Sequence, residues 1–85
     1  MPWDIKFEPA ARRALKGLDK PIQKRVLKAL TTLAANPTTA ANVKALQNQP
    51  AFRLRVGDWR VIYTLENELL TILIIRIAHR RDAYR

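Results

Sequence analysis

The sequence of 85 residues predicts an α+β fold: a two-helix hairpin packed on one face of a small, mostly antiparallel sheet, in the order β-α-α-β-β-β. Three observations predict it. Apolar residues alternate at the N-terminus, recur at helical spacing as far as Leu33, and alternate again from Phe52 onward. Prolines stand where helices begin, at Pro9 and Pro21, and where one ends, at Pro37. Gly57-Asp58 and Glu66-Asn67-Glu68 divide the C-terminal apolar stretch into three pieces of strand length.

Trp3, Ile5 and Phe7 alternate with Asp4 and Lys6, the pattern of a half-buried strand. Glu8-Pro9 opens a helix, because proline is tolerated in the first turn and an acid suits its positive end. Ala11, Ala14, Leu15 and Leu18 form its apolar face, and Gly17 and Asp19 close it. Asp19 is positioned to cap a second helix with Pro21 in its first turn. There Ile22, Val26, Leu30 and Leu33 repeat at helical spacing, supported by Leu27 and Ala34, until Asn36-Pro37. The short connection makes the pair an antiparallel hairpin. Residues 38–50 are polar and small, with Val43 and Leu46 as anchors, and read as a loop. Strands follow over residues 52–56, 59–65 and 69–77. The last is apolar on both faces, which places it centrally in the sheet.

Residues 1–85 make one domain, near the lower end of what a single core stabilises. At 48% hydrophobic residues the core is feasible. The chain has no cysteine and one histidine, His79, so a Cys-based metal site and a structural zinc site are excluded, and no metal is expected. Two glycines leave no phosphate-cradling Gly-rich loop, so no nucleotide cofactor is expected, and no cofactor of any kind. The N-terminus lacks an apolar run of signal-peptide length, and no later run reaches membrane-spanning length. The expectation is a cytoplasmic protein with no membrane partner.

The net charge is +9, and it is spread along the chain: nine bases and three acids in residues 1–50, seven and four in residues 51–85. Nucleic acid or an acidic protein are the natural partners. From residue 51 onward every base is arginine, namely Arg53, Arg55, Arg60, Arg76, Arg80, Arg81 and Arg85, while the lysines end at Lys44. Arginine is a planar fork that grips phosphate through two parallel hydrogen bonds. Strand parity puts Phe52, Leu54 and Val56 on the core side and Arg53 and Arg55 opposite. It groups Arg60 with Ile62 and Thr64, and Arg76 with Ile72 and Ile74. The assembly expected from these groupings sets Arg53, Arg55, Arg60 and Arg76 on the face that the helices leave open. Arg80, Arg81, Tyr84 and Arg85 follow where the last strand leaves the sheet. One arginine on such a face is ordinary solvated surface; four without a lysine favour a phosphodiester cradle, with a ring available for stacking. Arg76 is the weakest member, because Glu66 and Asp82 are candidate partners for it. Tyr63, Trp3 and Trp59 read as core packing.

The chemistry compatible with this inventory is metal-free cleavage of RNA by attack of a 2′-hydroxyl on the adjacent phosphate. That reaction needs in-line positioning, neutralisation of the pentavalent phosphate's charge, and assisted proton transfer. Arginines supply the second requirement; Tyr84 and His79 are the candidates for the third. Tyrosine and arginine are poor bases at neutral pH, so the rate must lean on positioning.

The run Phe52-Arg53-Leu54-Arg55-Val56-Gly57-Asp58-Trp59-Arg60-Val61-Ile62-Tyr63 and the ending Ile77-Ala78-His79-Arg80-Arg81-Asp82-Ala83-Tyr84-Arg85 resemble the RelE/ParE toxin superfamily, on its RelE side. The resemblance covers nearly the whole chain, helical hairpin included. It implies a microbial-ribonuclease-like RelE fold and a toxin of a type II toxin–antitoxin system that enters the ribosomal A site and cuts mRNA there. It implies a cognate, RelB-like antitoxin that holds the toxin inactive in a hetero-oligomer, with the ribosome and mRNA as further partners. By position, Arg60 matches the family's phosphate-binding arginine, Arg80 the arginine of transition-state stabilisation or proton donation, and Tyr84 the tyrosine that stacks on the cut nucleotide. Arg53 and Arg55 match basic positions where the best-known member carries lysines. Arg76, Arg81 and Arg85 are expected to add to substrate binding. The alternatives are a ParE-like inhibitor of DNA gyrase without catalysis, which shares the fold and the Gly-Asp-aromatic-Arg segment, and a non-catalytic RNA-binding module.

Overall fold

The N-terminal alternation forms strand β1 (Asp4–Phe7), and the two amphipathic stretches form helices α1 (Pro9–Lys16) and α2 (Lys20–Ala35). After them come a short strand β2 (Val43–Ala45), then β3 (Phe52–Val56), β4 (Trp59–Glu66), a single 3-10 turn at Asn67–Leu69, and β5 (Thr71–His79). The structure, a computed structural model, describes residues 2–38 and 41–82. The expected roles of Tyr84 and Arg85 fall on residues outside that range.

The five strands run in the order β1-β5-β4-β3-β2. β1 pairs with β5 in parallel, and the other three pairings are antiparallel. β5 therefore has a neighbour on each side, as its apolar character predicts. α1 lies against β5 and β1, and α2 against β1 and β3. The core takes Ala11 and Leu15 from α1 and Val26, Leu30, Leu33 and Ala34 from α2. The sheet contributes Leu54, Val56, Val61, Tyr63, Ile72, Ile74 and Ile77. Trp3 and Trp59 pack at its margin. Burial of one such Leu or Ile is worth about 1.5–3 kcal/mol, so the stripe at 26, 30 and 33 anchors α2.

Several expectations are corrected. Residues 38–50 are not all loop: β2 adds a fifth strand at the sheet edge, with Val43 opposite Leu54 and Lys44 opposite Arg53. Asp19 occupies the N-cap of α2 without a side-chain capping bond. The helix hairpin is joined instead by Gln23, whose Nε2 donates to the Leu15 carbonyl at 3.0 Å and satisfies an acceptor at the end of α1. Leu27 points away from the core and is 43% exposed, because it falls one residue off the apolar stripe. The last strand begins at Thr71 and not at residue 69, because Leu69 ends the 3-10 turn and Leu70 adopts φ 47°.

The largest correction concerns parity in β5. Ile62 pairs with Arg76, but Tyr63 pairs with Ile74, so Ile75 is an extra residue and β5 carries a bulge. The bulge reverses the alternation: Ile72, Ile74 and Ile77 are all buried in the core. Arg76 does not share a face with Ile72 and Ile74 as unbroken alternation implies. It lies opposite Ile62, on the side away from the core.

Candidate nucleic-acid interface

On the sheet face that the helices leave open, strand pairing sets the bases in two rows. Lys44, Arg53, Ile62 and Arg76 lie side by side across β2, β3, β4 and β5. One step along, Arg55, Arg60 and Ala78 do the same across β3, β4 and β5. Arg55 faces Arg60 directly, and Lys44 faces Arg53. Like charges directly opposed on adjacent strands are destabilising. Two such pairs on one small sheet carry a repulsion that an anion bound between them would relieve. Lys44, Arg53, Arg55 and Arg60 line, with Asn42 and Val43, a hollow of about 390 Å³.

The forks of Arg55, Arg60 and Arg76 are each held by a local acceptor. Arg55 Nη2 donates to Asn42 Oδ1 at 3.2 Å, and the Arg55 main-chain N–H donates to the Asn42 carbonyl at 2.9 Å. Arg60 is half-buried and not exposed as a free surface arginine would be. Its Nη1 donates to the carbonyls of Gly57 at 2.8 Å and Trp59 at 2.9 Å. Arg76 Nη2 donates to the main-chain carbonyl of Asp82 at 2.6 Å, a backbone bond and not the carboxylate pairing expected of it, and this ties the chain after β5 to the sheet.

The two-residue turn Gly57-Asp58 joins β3 to β4, with Gly57 at φ +59°, where a side chain would be strained. Arg60 reaches this turn from within β4. Arg80 reaches it from beyond β5: its main-chain N–H donates to the Asp58 carbonyl at 2.7 Å, and its Nη1 lies 3.7 Å from Asp58 Oδ1. Both side chains of that ion pair are mostly exposed. The pair is therefore weak, and an incoming phosphate can displace the carboxylate. Arg60 and Arg80, far apart in sequence, converge on one turn.

His79 does not join them. It is paired with Trp59, one step beyond Arg60 and Ala78, and meets the Trp59 ring edge-on at 5.4 Å between centroids. Its Nδ1 accepts the Arg81 main-chain N–H at 3.3 Å. Arg81 is exposed in the turn after β5. Tyr63 stacks on Phe52 at 5.6 Å, fully buried, and burial pushes its hydroxyl up to about 12. Among the described residues no group of three His, Cys, Asp or Glu side chains is placed to hold a metal ion. No helix is long and apolar enough to cross a membrane.

Lys44 is the member of this surface that sequence reasoning missed. The signal was the pattern Val43-Lys44-Ala45, a base between two small apolar residues, too short to register as a strand without its neighbour β3.

The family model described as the ParE toxin of the type II toxin–antitoxin system matches residues 5–84. Toxin RelG of Mycobacterium tuberculosis is 31% identical over 86 residues, covering 100% of this chain and 99% of that one. The fold superposes on a chain of the RelBE2 toxin–antitoxin complex from Mycobacterium tuberculosis with a TM-score of 0.81 and 30% identity, over 94% of this chain and 100% of that one. The archaeal RelE–RelB complex from Pyrococcus horikoshii gives a TM-score of 0.82 and 27% identity, over 98% and 100% of the two chains. A family match along nearly the whole length, on a sheet that opposes its cations and gathers two arginines at one turn, makes this chain a member of the RelE/ParE superfamily, a RelE-family toxin of a type II toxin–antitoxin system.

Proposed function

We propose that this toxin is a metal-independent, ribosome-dependent endoribonuclease that cuts mRNA in the A site. The observation that carries the reading is the direct opposition of like charges, Arg55 to Arg60 and Lys44 to Arg53, on the open sheet face. Such a face is stabilised by an anion, and a phosphodiester is the anion that arginine forks fit. In the reaction the 2′-oxygen attacks the adjacent phosphorus, its proton leaves to a base, and the 5′-oxygen departs with a proton. Arg60 and Arg80 flank the Gly57-Asp58 turn and neutralise the charge that grows on the phosphoryl oxygens. Lys44, Arg53 and Arg55 hold flanking phosphates, Arg76 keeps the segment that carries Arg80 against the sheet, Arg81 adds to substrate binding, and Tyr84 stacks on the nucleotide at the cut. His79 braces Trp59 in this scheme and carries no proton to the arginine face. With no histidine on that face among the described residues, rate comes from in-line positioning, and the ribosome supplies that positioning.

A RelB-like antitoxin is the proposed partner that silences the toxin. The +9 charge favours an anionic protein, and relatives are found in RelE–RelB complexes. Ribosome and mRNA place the action in the cytoplasm. The ParE label of the matching family model favours a second reading, inhibition of DNA gyrase without chemistry. One experiment tests both. Purified toxin is added to translating ribosomes and mRNA 5′ ends are mapped, with a gyrase supercoiling assay in parallel. New ends at A-site codons with gyrase unaffected are expected. Intact mRNA with inhibited gyrase would establish the second reading, and intact mRNA with active gyrase would remove both.

A further inference from the structure

Helix α2 delivers a third arginine to the Gly57-Asp58 turn. Arg25 is exposed on α2, yet its guanidinium lies over Gly57 so closely that a Cβ added there would sit 2.9 Å from Arg25 Nη2. Arg60 holds the carbonyl of the same glycine from the sheet side. Arg25 and Arg60 therefore flank one residue, and Arg80 pairs with the next. Three guanidinium groups meet at a turn whose own carboxylate is Asp58 alone.

Lys28 lies one helical turn from Arg25, and both line a cleft of about 430 Å³ between α2 and β3 together with Thr32, Leu54 and Arg55. Arg55 lines this cleft and the hollow on the arginine face alike. The cations thus continue from the open face, past Arg55, to the rim of α2.

We propose that Arg25 and Lys28 carry the sugar–phosphate backbone of the substrate RNA onward from the cut position, around the Gly57-Asp58 tip and along α2. This rests on the RNA-cleaving reading above. Arg25 and Arg60 stand on opposite sides of a single residue, close enough to serve neighbouring phosphates of one strand. The requirement for glycine at position 57 is then twofold, the left-handed turn and the approach of Arg25. The binding is a phosphate grip without base readout, so it adds affinity and register but no sequence preference.

The test uses the full-length toxin and a cleavage-resistant, 2′-O-methyl single-stranded oligoribonucleotide, with affinity measured by fluorescence anisotropy across a salt series. Each phosphate contact contributes a slope of about −0.7 in log K against log salt for a single strand. Arg25→Ala is expected to reduce the slope by about 0.7 and to weaken binding several-fold, and Arg25→Lys to restore the slope. Arg12→Ala is the charge-matched control: Arg12 is exposed on α1, which packs over β5 and β1, away from β3. It is expected to leave the slope unchanged. Thermal melts of each variant separate a loss of binding from a loss of fold. A wild-type slope in Arg25→Ala overturns the proposal, as does an equal drop in Arg12→Ala. Loss of binding to an acidic partner protein with RNA binding intact overturns it too, and assigns the α2 rim to that protein. If the wild-type toxin shows no salt-dependent binding of the oligonucleotide, the RNA reading itself falls, a result already visible before any variant is compared.

Discussion

Replacing Arg60 by alanine separates what this residue does for the fold from what the proposed reaction asks of it. In the folded chain Arg60 Nη1 donates to two main-chain carbonyls, of Gly57 at 2.8 Å and Trp59 at 2.9 Å. A charged hydrogen bond is worth about 1.5–3 kcal/mol when water is excluded. Arg60 is only half-buried, and water replaces the lost donor, so the two bonds together are worth about 1 kcal/mol here. Relief of the Arg55–Arg60 opposition returns part of this, so for a domain of this size Tm falls by at most about 4–8 °C. Starting from a stability of about 5 kcal/mol, the variant keeps about 4, and only about 0.1% of molecules are unfolded. The fold effect on activity is therefore negligible. Loss of a charge-assisted contact to the transition state is expected to slow cleavage by about 100-fold, the equivalent of about 2.7 kcal/mol. The assay is single-turnover cleavage on programmed ribosomes at saturating toxin, run beside a thermal melt. Arg60→Lys keeps the charge but not the fork, and is expected to fall between the two. A wild-type rate in Arg60→Ala with a lowered Tm would make Arg60 a brace for the turn and refute its catalytic assignment. A fall in Tm several times larger than estimated would refute the discount for solvent.

Asp58→Asn removes the carboxylate beside Arg80 while keeping the main-chain bond; the exposed pair is worth about 0–1 kcal/mol, so Tm should move by only a few degrees. Oligoribonucleotide affinity should rise by about two- to five-fold, and weaker binding would show that Asp58 orients Arg80 instead of competing with substrate. Tyr63→Phe removes a buried hydroxyl that has no partner among the described residues, so it should leave stability unchanged or raise it by about 1 kcal/mol. The folded chain holds this phenol's proton up to about pH 12, whereas an unfolded tyrosine loses it near pH 10. The unfolded state therefore binds fewer protons across that window, and stability present below pH 10 is lost as pH rises toward 12. Alkaline denaturation should accordingly be shallower in Tyr63→Phe, and identical profiles would refute the assignment. For Tyr84, stacking predicts that Tyr84→Phe keeps most single-turnover activity while Tyr84→Ala loses about 1–3 kcal/mol; equal inactivity of both would assign the role to the hydroxyl.

The fold was legible wherever a pattern was long enough to be read without its partner. The stripe at 22, 26, 30 and 33 and the alternation at 52, 54 and 56 each declare their element alone, because a helix face and a strand face have different periods. β2 did not, since three residues form a strand only by pairing with β3, and its membership is a fact about the neighbour. The parallel pairing of β1 with β5 is likewise a long-range contact with no local signature. Capping fared differently. Asp19 has the right chemistry at the right place, but Gln23 reaches the end of α1 and supplies the bond that joins the two helices.

The candidate site shows the same division at the level of single residues. Arg53 and Arg55 were placed on the open face by parity alone, and the register keeps them there. Arg25 could not be placed that way: on a helical wheel it is one more solvated base, and only the close approach of α2 to the β3–β4 turn brings it to Gly57. His79 fails in the opposite direction. Its neighbours in sequence, Arg80 and Arg81, suggest a shared site, but pairing with Trp59 turns it to the ring's edge. Arg76 reached the open face by an assembly whose premise was wrong. Unbroken alternation would have carried Ile72 and Ile74 out with it, exposing two large apolar side chains at a cost of several kcal/mol. One extra residue at Ile75 lets the isoleucines face the core while Arg76 faces the open side of the sheet, which makes that bulge a condition of the candidate site and not an irregularity of the strand.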